Sequence, residues 1–159
     1  MAYSPTTTSV FSRFTHSPVI PTTYAIPWAP LAGRILLSTI FILSGLTKFS
    51  DWNGTAQYMA AHGLPLIPLL LPIAALVEIA GGLAILLGAR SRAAALLLFL
   101  YLIPTTLIFH SFWSFSGAEH INQMPHFLKN LAIMGGLALI VGLGPGFPSV
   151  DNSQTCCRN

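Results

Sequence analysis

Residues 66–88 read LIPLLLPIAALVEIAGGLAILLG, and Glu78 is the only charged side chain in this stretch. An α-helix needs about 20 consecutive apolar residues to cross roughly 30 Å of hydrocarbon. The stretch is apolar on every side instead of alternating, and an open strand would leave its backbone groups unsatisfied in lipid. The sequence therefore predicts a transmembrane helix here, with Pro68 and Pro72 in its first two turns.

Three more apolar runs of similar length occupy residues 31–49, 93–113 and 127–143. A short amphipathic piece, residues 55–62, follows the first run, and Asp51 is a residue type that begins helices. The segment with Gly117, Glu119, His120 and Pro125 is interpreted as a loop. These runs predict an all-α fold, a four-transmembrane-helix bundle over residues 28–147. A polar Ser/Thr/Pro-rich tail precedes it (residues 1–27), and a short C-terminal tail follows (residues 148–159).

The composition agrees with a membrane protein. Only 7% of the 159 residues are charged, against about 25% in soluble domains, and the mean hydropathy is +0.71. A soluble domain of this size needs a charged surface, so most of this surface must face lipid.

Several other classes of protein are not supported by the residues. The seven Lys and Arg are spread along the chain without a basic patch, so no nucleic-acid partner is predicted. The sequence contains no GxSxG, P-loop, CxxC or haem-attachment motif. His62, His120 and His126 lack the tight helical spacing of metal ligands, so no metal site is predicted. The adjacent Cys156 and Cys157 are interpreted as a tail pair without a catalytic role.

The distribution of Lys and Arg predicts an orientation in the cell (inner) membrane. Four spans place both termini and the 88–92 turn on one side. Five basic residues belong to that side: Arg13, Arg34, Arg90, Arg92 and Arg158. The other side has only Lys48 and Lys129. Since cytoplasmic loops carry the excess of Lys and Arg, both termini are predicted to be cytoplasmic.

Polar side chains inside the apolar runs indicate a candidate site. A charge within a membrane span is costly and calls for a reason. At the predicted depths, several polar residues can converge in the outer half of the bundle: Lys48, Glu78, Thr106, His110, Lys129 and Asn130. Such a cavity can hold a quinone headgroup or a small anion. The alternative is an ion-pair network that fixes helix packing, and both interpretations stay open because buried ion pairs often add little net stability.

Small residues in the runs predict where helices approach each other closely. The predicted packing positions are Gly45, Ala80, Gly81, Gly82, Ala84, Gly88 and Gly136. In the first helix, Gly45 shares one face with Arg34, Ser38, Phe41 and Lys48, and this face is expected to turn into the bundle.

Three segments, taken in order, resemble the DoxX family of small four-helix membrane proteins. They are Gly33-Arg34 through Ser44-Gly45-Leu46-Thr47-Lys48, Glu78-Ile79-Ala80-Gly81-Gly82, and Lys129-Asn130-Leu131 leading to Gly135-Gly136. The resemblance covers residues 31–146. It implies bacterial or archaeal membranes, where some relatives are subunits of a thiosulfate:quinone oxidoreductase or assist the maturation of periplasmic redox enzymes. Others are tied to oxidative-stress complexes, and no family-wide catalytic residues can be carried over.

Three functions are therefore considered, and the residues leave open whether the chain is an enzyme. The first is a quinone-linked membrane redox subunit, with a quinone as its cofactor. The second is a non-enzymatic assembly or anchoring subunit with a protein partner or as a homo-oligomer. The third is a small-solute or proton carrier, for which midplane Glu78 would supply the proton or cation path.

Overall fold

The computed structural model describes residues 26–151, so most of both predicted tails, together with Cys156 and Cys157, lies outside the described residues. Between residues 26 and 151 the chain is all-α and contains no strand. The α-helices are α1 (Ala29–Ser50), α2 (Trp52–Ala61), α3 (Ile67–Leu87), α4 (Ser91–Phe109) and α5 (Gly117–Leu143). All but α2 are long and apolar enough to cross a membrane. The predicted bundle of four candidate spans is confirmed.

The α3–α4 turn is as short as the sequence suggests. Gly88 ends α3 with φ +70°, and its N–H donates to the carbonyls of Ala84 and Ile85. Arg90 precedes α4 with φ +48°. Glycine adopts a positive φ without the penalty that a Cβ imposes, which makes it a common helix terminator. This turn, the start of α1 and the end of α5 form one end of the bundle, here named the terminal end.

The predicted loop around Glu119 is wrong. Helix α5 begins at Gly117, not at Phe127, and carries Pro125 in its interior. Its 27 residues span roughly 40 Å at 1.5 Å per residue, more than the hydrocarbon thickness of about 30 Å. The first turns therefore extend beyond the apolar layer, where Glu119 and His120 are stable in a helix. A search for apolar runs cannot find such a polar extension.

The third predicted run also ends earlier than expected. Helix α4 stops at Phe109, His110 is its C-cap, and a 3-10 turn covers Phe112–Ser114. The amphipathic piece is helical, as expected, but begins at Trp52. Asp51 is its N-cap, and its side chain accepts a hydrogen bond of 3.1 Å from the N–H of Gly54. The predicted helix start at Asp51 is confirmed.

Helices α1 and α3 approach each other most closely at two glycines. A Cβ on Gly45 would lie 2.5 Å from Cγ1 of Ile79 and 3.0 Å from the carbonyl oxygen of Ala75. A Cβ on Gly82 would lie 2.8 Å from Cγ1 of Ile42. Small residues therefore line the helix contact, as expected in a membrane where packing and not hydrophobicity drives association.

The other predicted packing positions divide into two groups. Gly81 packs against Leu98, Gly136 against Leu37, and Gly88 against Arg34. Ala80, in contrast, is exposed on the bundle surface, and Ala84 is half-buried. Leucines cover much of the remaining outer surface, such as Leu36, which is 71% exposed. An apolar outside around a core with polar groups suits a lipid solvent.

Candidate functional site

An ion pair joins α1 to α3 inside the bundle. Lys48 in the last turn of α1 places Nζ 2.7 Å from Oε2 of Glu78, in the middle of α3. The same Nζ donates to Oγ of Ser44 at 3.0 Å. Glu78 is only 4% exposed, so its charge needs these partners in place of water.

The second carboxylate oxygen of Glu78 has its own partner on α4. The hydroxyl of Tyr101 donates to Oε1 at 2.8 Å. Lys48 and Tyr101 thus hold the two oxygens of one carboxylate from two different helices. Tyr101 is absent from the predicted site residues. Tyrosines of membrane helices usually lie at the membrane–water interface. The position of Tyr101 inside a leucine-rich run was therefore a sign in the sequence that its hydroxyl has a polar partner within the bundle.

These three side chains line a cavity of about 320 Å³ between the helices. Its volume lies in the range of ligand pockets, about 300–1,000 Å³. Apolar and aromatic side chains form much of the wall, including Phe41, Leu102, Phe109 and Ile133. An apolar cavity with a few convergent polar groups is the usual form of a small-molecule site.

Most of the predicted site residues meet at this cavity. Lys48, Glu78, His110, Lys129 and Asn130 all line it. Thr106 lies behind the wall, where its Oγ1 accepts a hydrogen bond of 3.0 Å from Nδ2 of Asn130. Both side chains of this pair are buried, so the bond ties α4 to α5 at the level of the cavity.

Two stacked imidazoles mark the part of the cavity near the α4–α5 connection. The rings of His110 and His126 lie 5.2 Å apart. Nδ1 of His110 contacts Oε1 of Gln123 at 2.8 Å, and Nζ of Lys129 lies 3.3 Å from Nδ1 of His126. His126 and Gln123 belong to the polar extension of α5 that the sequence did not reveal.

Helix α2 covers another part of the cavity. Thr55, Tyr58 and Met59 of this helix contribute to the lining. The ring of Tyr58 stacks on Phe109 of α4 at 5.3 Å, and burial against these groups raises the pKa of the Tyr58 phenol. Tyr58 thus links α2 to α4 at the edge of the cavity.

No group of three or more His, Cys, Asp or Glu residues able to hold a metal occurs within residues 26–151. His62 and His120 each contact a backbone carbonyl, of Tyr58 and Phe112 respectively, through Nδ1. The ionisable side chains that line the cavity are one carboxylate (Glu78), two amines (Lys48 and Lys129), two phenols (Tyr58 and Tyr101) and one imidazole (His110).

Comparison with known proteins places the chain in a family. The DoxX profile matches residues 29–111. The inner membrane protein YqjF of Escherichia coli K12 is 41% identical over 121 residues, which cover 76% of this chain and 88% of YqjF. The inner membrane protein YphA of the same strain is 36% identical over 127 residues, covering 80% of this chain and 91% of YphA.

A shorter likeness extends to CatD of Bacillus subtilis strain 168, whose name describes it as a candidate oxidoreductase. It is 33% identical over 70 residues, which cover 44% of this chain and 51% of CatD. No solved structure matches the chain significantly. With its four long apolar helices and these relatives, the chain belongs to the DoxX family of multi-pass membrane proteins.

Proposed function

We propose that this DoxX-family protein is a redox-linked inner membrane subunit that binds the headgroup of a membrane quinone in the cavity at Lys48, Glu78 and Tyr101. The observation that carries the proposal is a buried, hydrogen-bonded carboxylate in an apolar cavity between membrane-spanning helices. Ionisable groups at such depth usually mark ligand sites or proton paths.

The chemistry of the cavity suits this ligand class. A quinone headgroup is a flat apolar ring with two carbonyl acceptors. Phe41, Leu102 and Ile133 supply apolar wall. Asn130 carries a second amide N–H besides the one given to Thr106, and this N–H can donate to a quinone carbonyl. Oε1 of Gln123 accepts from Nδ1–H of His110, so Nε2 of the neutral ring is an acceptor and can take a hydrogen bond from a quinol hydroxyl. Neither contact breaks those of Glu78.

A protein partner completes the proposal. Reducing a quinone to a quinol takes two electrons and two protons. The cavity offers acids, bases and hydrogen-bond donors, which move protons. Glu78, with Lys48 and Tyr101 in contact, is the group we assign to proton transfer, and we assign the electrons to a partner protein with its own redox centre. The name of CatD supports a redox role without identifying a substrate.

The orientation forms part of the same proposal. We place both termini in the cytoplasm and the cavity in the outer half of the membrane. Arg34, Arg90 and Arg92 lie toward the terminal end, and such an excess favours the cytoplasmic side. The names of YqjF and YphA support an inner membrane location.

The test is the quinone content of the purified protein. The protein is extracted in mild detergent from quinone-containing membranes, and bound quinone and quinol are measured per chain by mass spectrometry. We expect close to one per chain for the native protein and at most a tenth of that for Glu78→Gln and Tyr101→Phe. Glu119→Gln, a matched change at an exposed carboxylate outside the cavity lining, retains the native content. Absence of quinone from the native protein, or equal content in all variants, would refute the proposal.

One observation favours a second candidate, a non-enzymatic assembly or anchoring subunit. Lys48, Tyr101 and Glu78 satisfy one another, so the network can stabilise helix packing without a ligand. This candidate predicts a stoichiometric protein partner in the same preparation and no quinone. The mass spectrometry that identifies quinones identifies that partner as well.

A further inference from the structure

The terminal end of the bundle contains a buried cation. Arg34 of α1 is only 2% exposed. Its Nη2 donates to the carbonyl oxygen of Pro148, but Nε and Nη1 are buried without a hydrogen-bond partner. A guanidinium stays charged in proteins and has five N–H donors, and leaving buried donors unsatisfied is costly. Arg34 therefore calls for an acceptor.

The nearby carboxylate is engaged elsewhere. Asp151 accepts from the backbone N–H groups of Arg90 at 2.7 Å and Ser91 at 2.9 Å. It also accepts from Oγ of Ser91 at 3.0 Å. Its charge acts on Arg34 at a distance, but within residues 26–151 the ion pair closer than 4 Å is that of Lys48 and Glu78. The guanidinium of Arg34 has no direct carboxylate partner in this part of the chain.

An apolar groove of about 360 Å³ runs between α1 and α5 next to Arg34. Leu37, Gly136, Leu139 and Leu143 line it, together with the loop of residues 144–146. A Cβ on Gly33 would meet no atom within 4 Å, so the groove is open along α1. Apart from Arg34, the side chains of its lining are apolar.

A second hollow is lined by the same loop. It measures about 510 Å³ and is lined by Arg90, Arg92 and Asp151. Nη2 of Arg92 lies 3.4 Å from the position that a Cβ would take on Gly144. The loop of residues 144–146 thus borders both hollows, with Arg34 lining one and Arg90, Arg92 and Asp151 lining the other.

We propose that these two hollows bind one acidic phospholipid, with an acyl chain in the α1–α5 groove and the headgroup phosphate between Arg34 and Arg92. Arg34 is five residues, roughly 8 Å, from the start of α1, a depth close to the border of the headgroup layer. Basic pockets between helices at this level bind anionic headgroups, and each Lys or Arg near the surface strengthens the attraction. The negative charge of the phosphate compensates the positive charge of Arg34, whose Nε and Nη1 have no hydrogen-bond partner. This site is independent of the proposed quinone cavity.

Trp28 offers a local probe of this site. It is the N-cap of α1, is 64% exposed, and is two residues before Pro30 of the groove. A parent protein with Trp52→Phe and Trp113→Phe keeps Trp28 as its only tryptophan. It is reconstituted in phosphatidylcholine vesicles with equal fractions of dibrominated phosphatidylglycerol or dibrominated phosphatidylcholine, at physiological ionic strength.

We expect brominated phosphatidylglycerol to quench Trp28 more strongly than brominated phosphatidylcholine does. Arg92→Gln should reduce this preference by about fivefold, the effect of one surface cation, whereas Lys129→Gln at the far end should leave it unchanged. Arg92 is exposed, so its variant should fold even where Arg34→Gln does not. Equal quenching by both lipids, or equal preference in Arg92→Gln and Lys129→Gln, would overturn the proposal.

Discussion

The Nζ atom of Lys48 lies 2.7 Å from Oε2 of Glu78, and this contact connects the last turn of α1 to the middle of α3. The sequence alone offered two explanations for these charges, a ligand cavity or a packing network. The geometry combines them: the pair links two helices that pack closely, and both residues line the cavity. Stability and ligand binding must therefore be measured separately.

The ion pair gives the first prediction. Lys48→Met leaves the buried carboxylate with Tyr101 alone, and breaking a buried pair typically costs about 3–5 kcal/mol. The double variant Lys48→Met with Glu78→Leu removes both charges and should recover much of the loss. Thermal unfolding of the purified protein in detergent measures the coupling. If the loss in the double variant equals the sum of the losses in Lys48→Met and Glu78→Leu measured singly, the pair does not stabilise the packing of α1 against α3.

The close approach of α1 and α3 gives the second prediction. Gly45→Ala forces a Cβ against Ile79 and the Ala75 carbonyl, and overpacking of this kind costs about 1–3 kcal/mol. Gly135→Ala is the matched control, because a Cβ there meets no atom within 4 Å. The melting temperature should fall for Gly45→Ala only. Equal melting temperatures of both variants would mean that the helix contact is looser than described.

Asp151 gives the third prediction, a dependence of stability on pH. Burial pushes the pKa of Asp151 up, but hydrogen bonds from the backbone of Ser91 and Arg90 outweigh it and bring the pKa below its ordinary value. A carboxyl whose folded-state pKa is lowered stabilises the fold above its unfolded pKa, about 3.9. This stabilisation disappears as the pH falls through the lower, folded-state value.

The comparison between native protein and Asp151→Asn isolates this carboxyl from the other acids. The variant should unfold at a lower temperature than the native protein at neutral pH, since helix caps contribute about 1 kcal/mol. The two melting curves should converge as the pH falls below about 4. A difference in melting temperature that stays constant down to pH 2 would show that the charge of Asp151 does not stabilise the start of α4.

Individual residues show which parts of the fold and of the cavity can be predicted from the sequence and which cannot. The apolar runs predicted the four spans. Lys48 was predicted at the outer end of its helix and Glu78 near the midplane, so that both could converge in the outer half of the bundle. Tyr101 could not be assigned, because its partner Glu78 is 23 residues away and becomes a neighbour only through the packing of α3 against α4. The N-terminal extension of α5 was not predicted, because residues 117–126 are mostly polar and contain Pro125. No apolar periodicity therefore indicates a helix there.

The sequence also could not predict that N–H donors of the Arg34 guanidinium lack hydrogen-bond acceptors. Its place on the inward face of α1 was predicted, and the structure buries it with Ser38, Phe41 and Gly45. Its single backbone acceptor, Pro148, belongs to the segment after α5, whose return to the bundle no periodicity indicates. Tertiary contacts of loops decide such partners.

The most direct test of the quinone proposal is the affinity of quinone-stripped protein for a short-chain quinone, measured from the ligand-induced rise in melting temperature. Losing a hydrogen bond to a charged group costs about 1.5–3 kcal/mol. If Tyr101 fixes Glu78 for the ligand, Tyr101→Phe should weaken binding by at least about tenfold. Glu119→Gln should bind like the native protein. Identical affinity of the native protein, Tyr101→Phe and Glu78→Gln, or no stabilisation of any of them by quinone, would contradict the account.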